Sequence, residues 1–287
     1  MALEYWVEFF DDLQNVRGRS QNTVLAYRRD LELFDEFYSQ DKNISKIYNF
    51  LKDKKLSPRS QARVISSIRS YFKFLESKGK EIPELRELRP PKVKTALPKA
   101  ITFDEFNKLL DAARVNCPYK TSRNQITLLM LFGLGCRVTE LINMNLQDYN
   151  LTESWLCITG KGGKQRLIPL TDKLNEELEK YLVHSRKQII RDKTDSILIN
   201  DRGRRPSRVD IWRWLAQWSK KAGFENPISP HQFRHGCATA LLEGGADLRA
   251  IQTLLGHSSI QTTQIYTSVS SKHLREEVDE HHPLSKL

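Results

Sequence analysis

Residues 131–141 read LFGLGCRVTEL and join an apolar segment to a charged side chain that has no evident place in a core. The apolar run over 123–135 predicts a buried helix that ends in a Gly-Leu-Gly sequence. Arg137 follows this helix directly, and Glu140 lies one helical turn further on. Because a buried charge is costly without a partner, the pattern indicates either a structural ion pair or an arginine that Glu140 holds and aims at an oxyanion.

A lysine-containing hairpin is predicted next along the chain. Residues 155–159 and 165–170 have the pattern of two short strands, and the turn between them reads Gly160-Lys161-Gly162-Gly163-Lys164. The turn lacks the spacing of a P-loop and no helix follows it directly, so a nucleotide site is not expected. An ordinary Lys-Gly turn is the simplest interpretation of this segment alone, although a lysine at a hairpin tip can reach a site formed elsewhere.

A histidine and an arginine share the start of a later helix. In Ser-Pro-His-Gln-Phe-Arg (229–234), His231 and Arg234 are three residues apart and therefore lie on one helix face. The N-terminus of a helix favours a bound phosphate. His231 and His235 also have the spacing of a zinc pair, but neither an intervening glutamate nor a third ligand is nearby. We therefore expect no metal and no other cofactor.

Two more polar residues lie near the C-terminus. His257 follows Gly256 at a helix end, where a capping role is the default interpretation. Tyr266 follows Ile265, where a buried structural tyrosine is the default. The predicted helices of this half of the chain cover 172–190, 207–221, 231–243, 247–255, 259–268 and 271–280.

The N-terminal region has the pattern of a separate helical domain. Ser57 and Pro58 begin a helix with one apolar face, formed by Ile65, Ile68, Phe72 and Leu75. Its other face carries Arg59, Arg63, Ser66, Ser70 and Lys73. A basic, hydroxyl-rich face suits the DNA backbone, and a merely solvated face explains this helix equally well. Three prolines and three lysines over 88–100 predict an extended linker between domains at 1–87 and 101–287.

Composition favours a polyanionic partner. The 287 residues carry a net charge of +11, and the segment 41–100 alone has 16 basic and 6 acidic side chains. The four cysteines form no C-x-x-C pair and are interpreted as reduced core thiols. The sequence has neither the basic and apolar start of a signal peptide nor an apolar run long enough for a membrane span. A cytoplasmic protein is therefore expected.

Together, these polar side chains are those that phosphodiester transesterification needs. Arginines stabilise charge on the non-bridging oxygens of the pentacoordinate transition state. A tyrosine supplies an oxygen nucleophile whose phenolate is a fair leaving group, so the reaction can reverse. A lysine or histidine donates a proton to the departing 5′ oxygen. The candidate set is Arg137, Lys161, His231, Arg234, His257 and Tyr266.

The order of these six residues resembles that of the tyrosine recombinase family. Four segments look like its motifs: LFGLGCRVTEL (131–141), ITGKGGKQRLIPL (158–170), SPHQFRHGCAT (229–239) and LLGHSSIQTTQIY (254–266). The resemblance covers nearly the whole chain and is strongest to the Xer recombinases, which resolve chromosome dimers in bacteria. Cys136, Gly236 and Cys237 depart from the usual family residues, but all three are small and easily packed.

The resemblance implies a role for each residue that binds the phosphate or donates a proton to it. Arg137 and Arg234 would clamp the scissile phosphate, and Glu140 would support Arg137. Lys161 would act as general acid for the 5′ oxygen, and His257 would hydrogen-bond a phosphate oxygen.

It also implies a nucleophile and a DNA surface. Tyr266 would form a 3′-phosphotyrosyl bond, and His231 would accept its proton. Arg208 would read guanine edges in the major groove. The full set of expected DNA contacts is Arg59, Arg63, Ser66, Ser70, Lys164, Arg166 and Arg208.

The implied fold is mainly α with a small antiparallel β-sheet. An N-terminal core-binding, SAM-like domain (1–87) and an α+β catalytic domain (101–287) would clamp double-stranded DNA at a recombination site. The charged tail, 271–287, would pack on a neighbouring protomer of a tetramer. That tetramer would contain either copies of this chain or a paralogous recombinase, and a DNA translocase of the FtsK type would be a further partner.

Three alternatives stay open at this point. The first is another member of the family, such as a phage, transposon or integron integrase, or an invertase. The second is a type IB topoisomerase, which shares the chemistry but does not pair sites. The third is a DNA-binding regulator without catalysis, which would need no nucleophile at Tyr266.

Overall fold

The chain divides into two compact units, Met1–Ala96 and Leu97–Leu287, each with its own hydrophobic core. The computed structural model describes residues 5–19, 21–82, 88–91, 99–256 and 268–286, and for residues 161 and 268–271 it describes the backbone alone. Within these ranges no helix has both the length and the apolar character needed to cross a membrane. Apart from residue 268, the helix expected at 259–268 lies outside the described residues.

The first unit is helical in its described residues, which confirms the predicted all-helical N-terminal region. Its helices are α1 (Trp6–Asp11, continued by a π turn at Asp12–Val16), α2 (Gln21–Gln40), α3 (Ile47–Asp53, preceded by a 3₁₀ turn at Ile44–Lys46) and α4 (Pro58–Ser77).

Helix α4 begins where the sequence predicts. The Ser57 hydroxyl accepts a hydrogen bond from the backbone N–H of Ser60 at 3.2 Å, and Pro58 occupies the first turn. Ile65 and Ile68 are fully buried on the apolar face, which packs against α2. Burial of this face stabilises the helix, since isolated helices of this length are marginal in water.

A buried carboxylate lies between α2 and α4. Asp30 is 2% exposed, and its two carboxylate oxygens accept hydrogen bonds from Arg63 Nη1 at 2.5 Å and from the Ser67 hydroxyl at 2.7 Å. Desolvation raises the pKa of Asp30 above its ordinary value, although Ser67 and Arg63 both act to lower it. The Nη1 atom of Arg63 is therefore bound to a buried carboxylate within the first unit.

The start of the expected linker packs on the first unit. Leu88 is completely buried in its core, and its carbonyl accepts a hydrogen bond from Arg69 Nη1 at 2.7 Å. The Arg89 carbonyl accepts one from the Tyr48 hydroxyl at 2.7 Å. Residues 88 and 89 thus belong to the helical unit rather than to an extended connection.

The second unit contains the remaining helices and a small sheet. Its helices are α5 (Phe103–Ala112), α6 (Pro118–Gly133), α7 (Val138–Asn143), α8 (Asp172–Lys180, continued by a π turn at Tyr181–Ser185), α9 (Arg186–Ile189), α10 (Arg208–Lys221), α11 (Pro230–Gly244), α12 (Leu248–Leu255) and α13 (Ser268–His281). Short 3₁₀ turns lie at Leu146–Asp148, Lys161–Gly163 and Pro283–Lys286.

The sheet is antiparallel, as predicted, with β1 (Tyr149–Asn150), β2 (Trp155–Thr159) and β3 (Gln165–Pro169) in that order. Cys157 pairs with Leu167 and Thr159 with Gln165, which gives the hairpin its register. The two-residue strand β1 was not predicted, because so short a strand has no alternation to detect. The predicted fold class, mainly α with a small antiparallel sheet, is confirmed.

Helix α6 lies in the core, and α11 packs against it. Leu128, Met130 and Leu131 are all fully buried, which explains why α6 is apolar on nearly every side. Gly236 of α11 faces the Ile101 backbone so closely that an added Cβ would lie 2.6 Å from the Ile101 carbonyl oxygen. Glycine at position 236 therefore allows α11 to pack closely against the Ile101 backbone.

The C-terminal segment folds onto its own unit. Leu284 is fully buried, and Leu274 and Val278 of α13 are nearly so. Arg275 donates to the carbonyl of Glu153 at 2.6 Å. The described part of the tail therefore contributes to the core of its own unit, and the contact with a neighbouring protomer that the resemblance implies stays a prediction.

Candidate active site

Glu140, a buried carboxylate in the first turn of α7, is the electrostatic centre of the second unit. Its Oε2 accepts a hydrogen bond from the backbone N–H of Arg137 at 3.0 Å, and its Oε1 accepts one from Arg137 Nη1 at 2.8 Å. The side chain of Glu140 is 3% exposed and that of Arg137 is 40% exposed. The ion pair suggested by the sequence therefore forms, and it holds an arginine that still reaches solvent.

A second arginine binds the same carboxylate. Arg166 of β3 donates from Nη2 to Glu140 Oε2 at 2.8 Å and from Nε to the carbonyl of Leu254 in α12 at 2.8 Å. Burial alone raises the pKa of Glu140, but hydrogen bonds from Arg166 and Arg137 outweigh it and hold that pKa below its ordinary value. Arg166 was expected at the DNA surface, and the structure instead buries its side chain.

Arg234, in the first turns of α11, is the third arginine of the cluster. It donates from Nη1 to the carbonyl of Gly135 at 2.8 Å and from Nη2 to the carbonyl of Leu255 at 2.6 Å. These two bonds tie the end of α6 to the end of α12. Burial, together with the like charge of Arg137, lowers the pKa of Arg234 to about 10.

This cluster has more positive than negative charge. Arg137 and Arg166 pair with Glu140, and Arg234 lies close enough to interact with its charge without a direct bond, so the four side chains together carry two uncompensated positive charges. Arginine forks that are already held by protein acceptors lose little freedom when an anion binds. The arrangement is therefore suited to an oxyanion that accepts hydrogen bonds through two of its oxygens, such as a phosphate diester.

His231 lies in the first turn of α11, three residues before Arg234, and is exposed to solvent. The hairpin tip forms a 3₁₀ turn in which Gly162 and Gly163 both have positive φ angles, which a residue with a Cβ rarely adopts. Lys161 lies in this turn, with its side chain outside the described atoms, and Lys164 is exposed. His257 and Tyr266 lie outside the described residues.

His231 and His235, which have the spacing of a zinc pair, both have side chains exposed on α11. Within the described ranges, no group of three or more His, Cys, Asp or Glu side chains is arranged to hold a metal ion.

The cysteines beside the cluster are buried thiols. Cys136 precedes Arg137, and Cys237 lies on α11; burial raises the pKa of each to about 12. All four cysteines of the chain are free. The two beside the arginines are therefore protonated packing residues at neutral pH.

The DNA-contact candidates of the first unit lie on α4. Arg59 and Ser66 are exposed, and Ser66 also donates its hydroxyl to the Ala62 carbonyl at 2.8 Å. Arg63 binds Asp30. A groove of about 250 Å³ on the same unit is lined by Ser66, Arg69, Ser70, Lys73 and Pro90.

The candidate on the second unit is Arg208, exposed at the start of α10. Two apolar side chains beside it are also exposed, Val209 by 70% and Trp212 by 43%. Residues 208, 209 and 212 share one face of the helix. Sequence reasoning found the arginine and missed its apolar neighbours.

The chain matches two family models. Residues 99–273 match the phage integrase family, and residues 7–79 match the phage integrase N-terminal SAM-like domain. Among curated proteins, it is 38% identical to the tyrosine recombinase XerD of Listeria monocytogenes over 281 residues, which cover 93% of this chain and 94% of that protein. It is also 38% identical to the tyrosine recombinase XerC of Thermodesulfovibrio yellowstonii, with 98% of this chain and 97% of that protein covered.

Solved structures share the fold. The XerA recombinase matches with a TM-score of 0.51 and 29% identity, over 97% of this chain and 98% of that one. XerH bound to its palindromic difH substrate matches with a TM-score of 0.68 and 21% identity, over 96% of this chain and 84% of that one. A λ integrase tetramer on a Holliday junction matches with a TM-score of 0.67 and 18% identity, over 91% and 80% of the two chains.

Proposed function

Because the chain belongs to the phage integrase family of tyrosine recombinases, we propose that Tyr266 is its nucleophile and that Arg137 and Arg234 bind the scissile phosphate. The protein is a site-specific tyrosine recombinase. In the proposed step, the Tyr266 oxygen forms a bond to phosphorus as the bond from phosphorus to the 5′ oxygen breaks. The products are a 3′-phosphotyrosyl linkage and a free 5′ hydroxyl, and reversal onto a new strand completes the exchange.

The observation that carries this proposal is the positive charge around Glu140. Arg137 remains 40% exposed while its guanidinium is fixed by the carboxylate. Arg234 is fixed by two carbonyl groups. Cations held in this way are aimed at the developing charge of the transition state and need little rearrangement when it forms, which is the most effective kind of electrostatic stabilisation.

Proton transfer is assigned to three further residues. His231 would accept the Tyr266 proton, because it lies in the same helix turn as Arg234 and reaches solvent. Lys161, in the glycine-rich turn, would donate a proton to the departing 5′ oxygen. His257 would hydrogen-bond a non-bridging oxygen.

The substrate would be a double-stranded recombination site. The net charge of +11 supports binding to a polyanion. The XerH structure holds a DNA substrate, and the λ integrase structure is a tetramer on a Holliday junction. By analogy, this chain would act as a tetramer on two sites, made of one recombinase or of two paralogues, and would resolve chromosome or plasmid dimers at cell division. The resemblance to the Xer recombinases also leads us to propose a cytoplasmic location and activation by a DNA translocase of the FtsK type.

Covalent trapping tests the nucleophile directly. The protein is incubated with nicked suicide duplexes that carry its candidate site, with and without EDTA, and the products are resolved on a denaturing gel beside Tyr266→Phe. We expect an adduct that persists in EDTA and is absent from the variant, which should still bind DNA. An adduct formed by Tyr266→Phe would reject Tyr266. No wild-type adduct, even with a paralogue added, would favour the DNA-binding regulator.

A further inference from the structure

We propose that Arg166 is a positioning residue of the transesterification site, which acts through Glu140 and the end of α12 and makes no contact with DNA. This inference rests on the proposed function, because it concerns how the phosphate-binding arginines are held. It replaces the role that the sequence suggested for Arg166, since position and burial point to a different one.

Arg166 joins the segments that carry the reacting groups. Its two hydrogen bonds, each of 2.8 Å, reach Glu140 of α7 and the Leu254 carbonyl of α12. Glu140 in turn fixes Arg137, and the adjacent carbonyl, that of Leu255, accepts a bond from Arg234. Arg166 and Arg234 therefore both hydrogen-bond the C-terminal end of α12.

Two glycines close on the Arg166 guanidinium. A Cβ added at Gly160 would lie 3.6 Å from Arg166 Nη1, and one added at Gly256 would lie 3.2 Å from it. The next residue after Gly160 is Lys161, and the next after Gly256 is His257. The described residues that directly precede these two candidates thus both pack on Arg166.

The fork of an arginine is needed for this role. Nε and Nη2 donate to acceptors on two different segments at once, which a lysine with its single terminal nitrogen does not reproduce. The side chain is 7% exposed, whereas Lys164, two residues earlier on the same hairpin, is exposed. Residues 164 and 166 would share a face in a regular strand, but Lys164 lies in the turn before β3 begins at Gln165. The hairpin therefore presents one cation outward and one inward.

The test compares Arg166→Met with the matched variant Lys164→Met. Each is assayed for DNA affinity over a range of salt concentrations and for single-turnover cleavage of saturating suicide substrate. A positioning residue predicts unchanged affinity and salt dependence for Arg166→Met, with cleavage about 10- to 100-fold slower. Lys164→Met should instead weaken binding and reduce the salt slope by about one unit. A reduced salt slope in Arg166→Met, with unchanged cleavage at saturation, would overturn the proposal.

Arg166→Met leaves the buried Glu140 carboxylate without its second cation and so can unfold the second unit for that reason alone. A double variant in which Glu140 is also uncharged removes this unpaired charge. If Arg166 acts through Glu140, Arg166→Met combined with Glu140→Gln should cleave no more slowly than the slower single variant. Multiplied losses would show that the two residues act independently and would overturn the proposal.

The pH profile is a readout that a merely structural role would not change. Without Arg166, the pKa of Glu140 rises, so cleavage by Arg166→Met should fall as the pH is lowered through the weakly acidic range, while wild-type cleavage does not follow this titration. Parallel profiles would count against the proposal.

Arg137→Ala separates failure of this inference from failure of the proposed function. If Arg137→Ala cleaves normally, the phosphate clamp itself is misassigned. If it fails to cleave while Arg166→Met cleaves like the wild type, the clamp stands and only the role of Arg166 is rejected.

Discussion

The two units of this protein each bury a carboxylate, and they pair it differently. In the helical unit, Asp30 is bound by one arginine, Arg63, and by the Ser67 hydroxyl, and desolvation raises its pKa. In the second unit, Glu140 is bound by Arg137 and Arg166 and by a backbone N–H, and its pKa is lowered.

The difference separates a structural ion pair from an anion site. One arginine against one carboxylate neutralises the buried charge, so the pair itself carries no net charge. Three arginines around a single carboxylate leave a net positive charge, and Arg137 carries part of it to the surface. An Arg-carboxylate contact by itself therefore says little about function, whereas the excess of arginine over carboxylate is informative.

Removing the charge of Glu140 should have the largest effect on stability. Glu140→Gln leaves the buried Arg166 without its anionic partner, and breaking a buried pair in this way costs about 3–5 kcal/mol. The unfolding of the second unit can be followed in urea by tryptophan fluorescence, since four of the five tryptophans lie there. A loss below about 1 kcal/mol, the level of an exposed pair, would show that the Glu140 network is not the buried electrostatic centre described above.

Arg234→Ala should have the largest effect on catalysis with little effect on DNA affinity. Loss of one preorganised transition-state donor lowers the rate by about 10²- to 10³-fold. Single-turnover cleavage of a suicide substrate measures this effect. Arg114→Ala provides the control, because Arg114 is an exposed arginine paired with Asp111 in the same unit. Normal cleavage by Arg234→Ala would reject its place in the phosphate clamp.

His282 extends the comparison to a buried titratable group that has no charged partner among its hydrogen bonds. Its Nδ1 accepts a bond from the Leu284 backbone N–H at 3.0 Å, and burial lowers its pKa to about 4. In the unfolded chain, His282 binds a proton with its ordinary pKa near 6.5, whereas in the folded chain it stays neutral until the pH approaches 4. The free energy of unfolding should therefore be highest above pH 6.5 and decline as the pH falls towards 4.

At 1.36 kcal/mol per pKa unit, the loss approaches about 3 kcal/mol at pH 4. Urea denaturation of the wild type and of His282→Gln between pH 7 and pH 4.5 measures most of this loss, because carboxyl groups that titrate in the same range contribute equally to both proteins. Equal slopes in the two proteins would remove His282 as the source.

Asp30→Asn should have the smallest effect of the four. Asparagine keeps an acceptor for Ser67, and the lost ion pair involves Arg63, whose side chain is 51% exposed. A solvent-screened pair of this kind contributes about 1 kcal/mol or less. The unfolding midpoint should shift slightly, and cleavage of bound DNA should stay at the wild-type rate. A loss as large as that of Glu140→Gln would erase the distinction between the two carboxylates.

Local sequence signals predicted most of the helical elements. The Ser57-Pro58 start of α4 forms as expected, because capping depends on residues within one turn. A capping box of Thr102 and Glu105 likewise begins α5. The hairpin of β2 and β3 was also predicted. Leu88 was assigned to a linker and is instead a core residue, because the prolines that follow it indicate extended backbone and carry no information on packing.

The pairing of Arg137 with Glu140 was visible in the sequence as a short-range spacing, and the structure contains it. The burial of Arg166 was not visible. Its partner Glu140 lies 26 residues away and its second acceptor, Leu254, lies 88 residues away. The strand reads Gln-Arg-Leu-Ile-Pro, with apolar residues on both faces, so its sequence does not say which face of the strand is buried.

The sequence by itself determined the family, the helical N-terminal unit and the hairpin, because each depends on short motifs or local patterns of residue types. It also indicated six candidate catalytic residues, each of them within such a motif. The tertiary structure alone decided which arginines face solvent and which carboxylate neutralises them. It also showed that the described part of the C-terminal tail packs on its own unit, with Leu284 in the core. Burial and long-range hydrogen bonds arise only when distant segments meet, and no local pattern in the chain records which segments those will be.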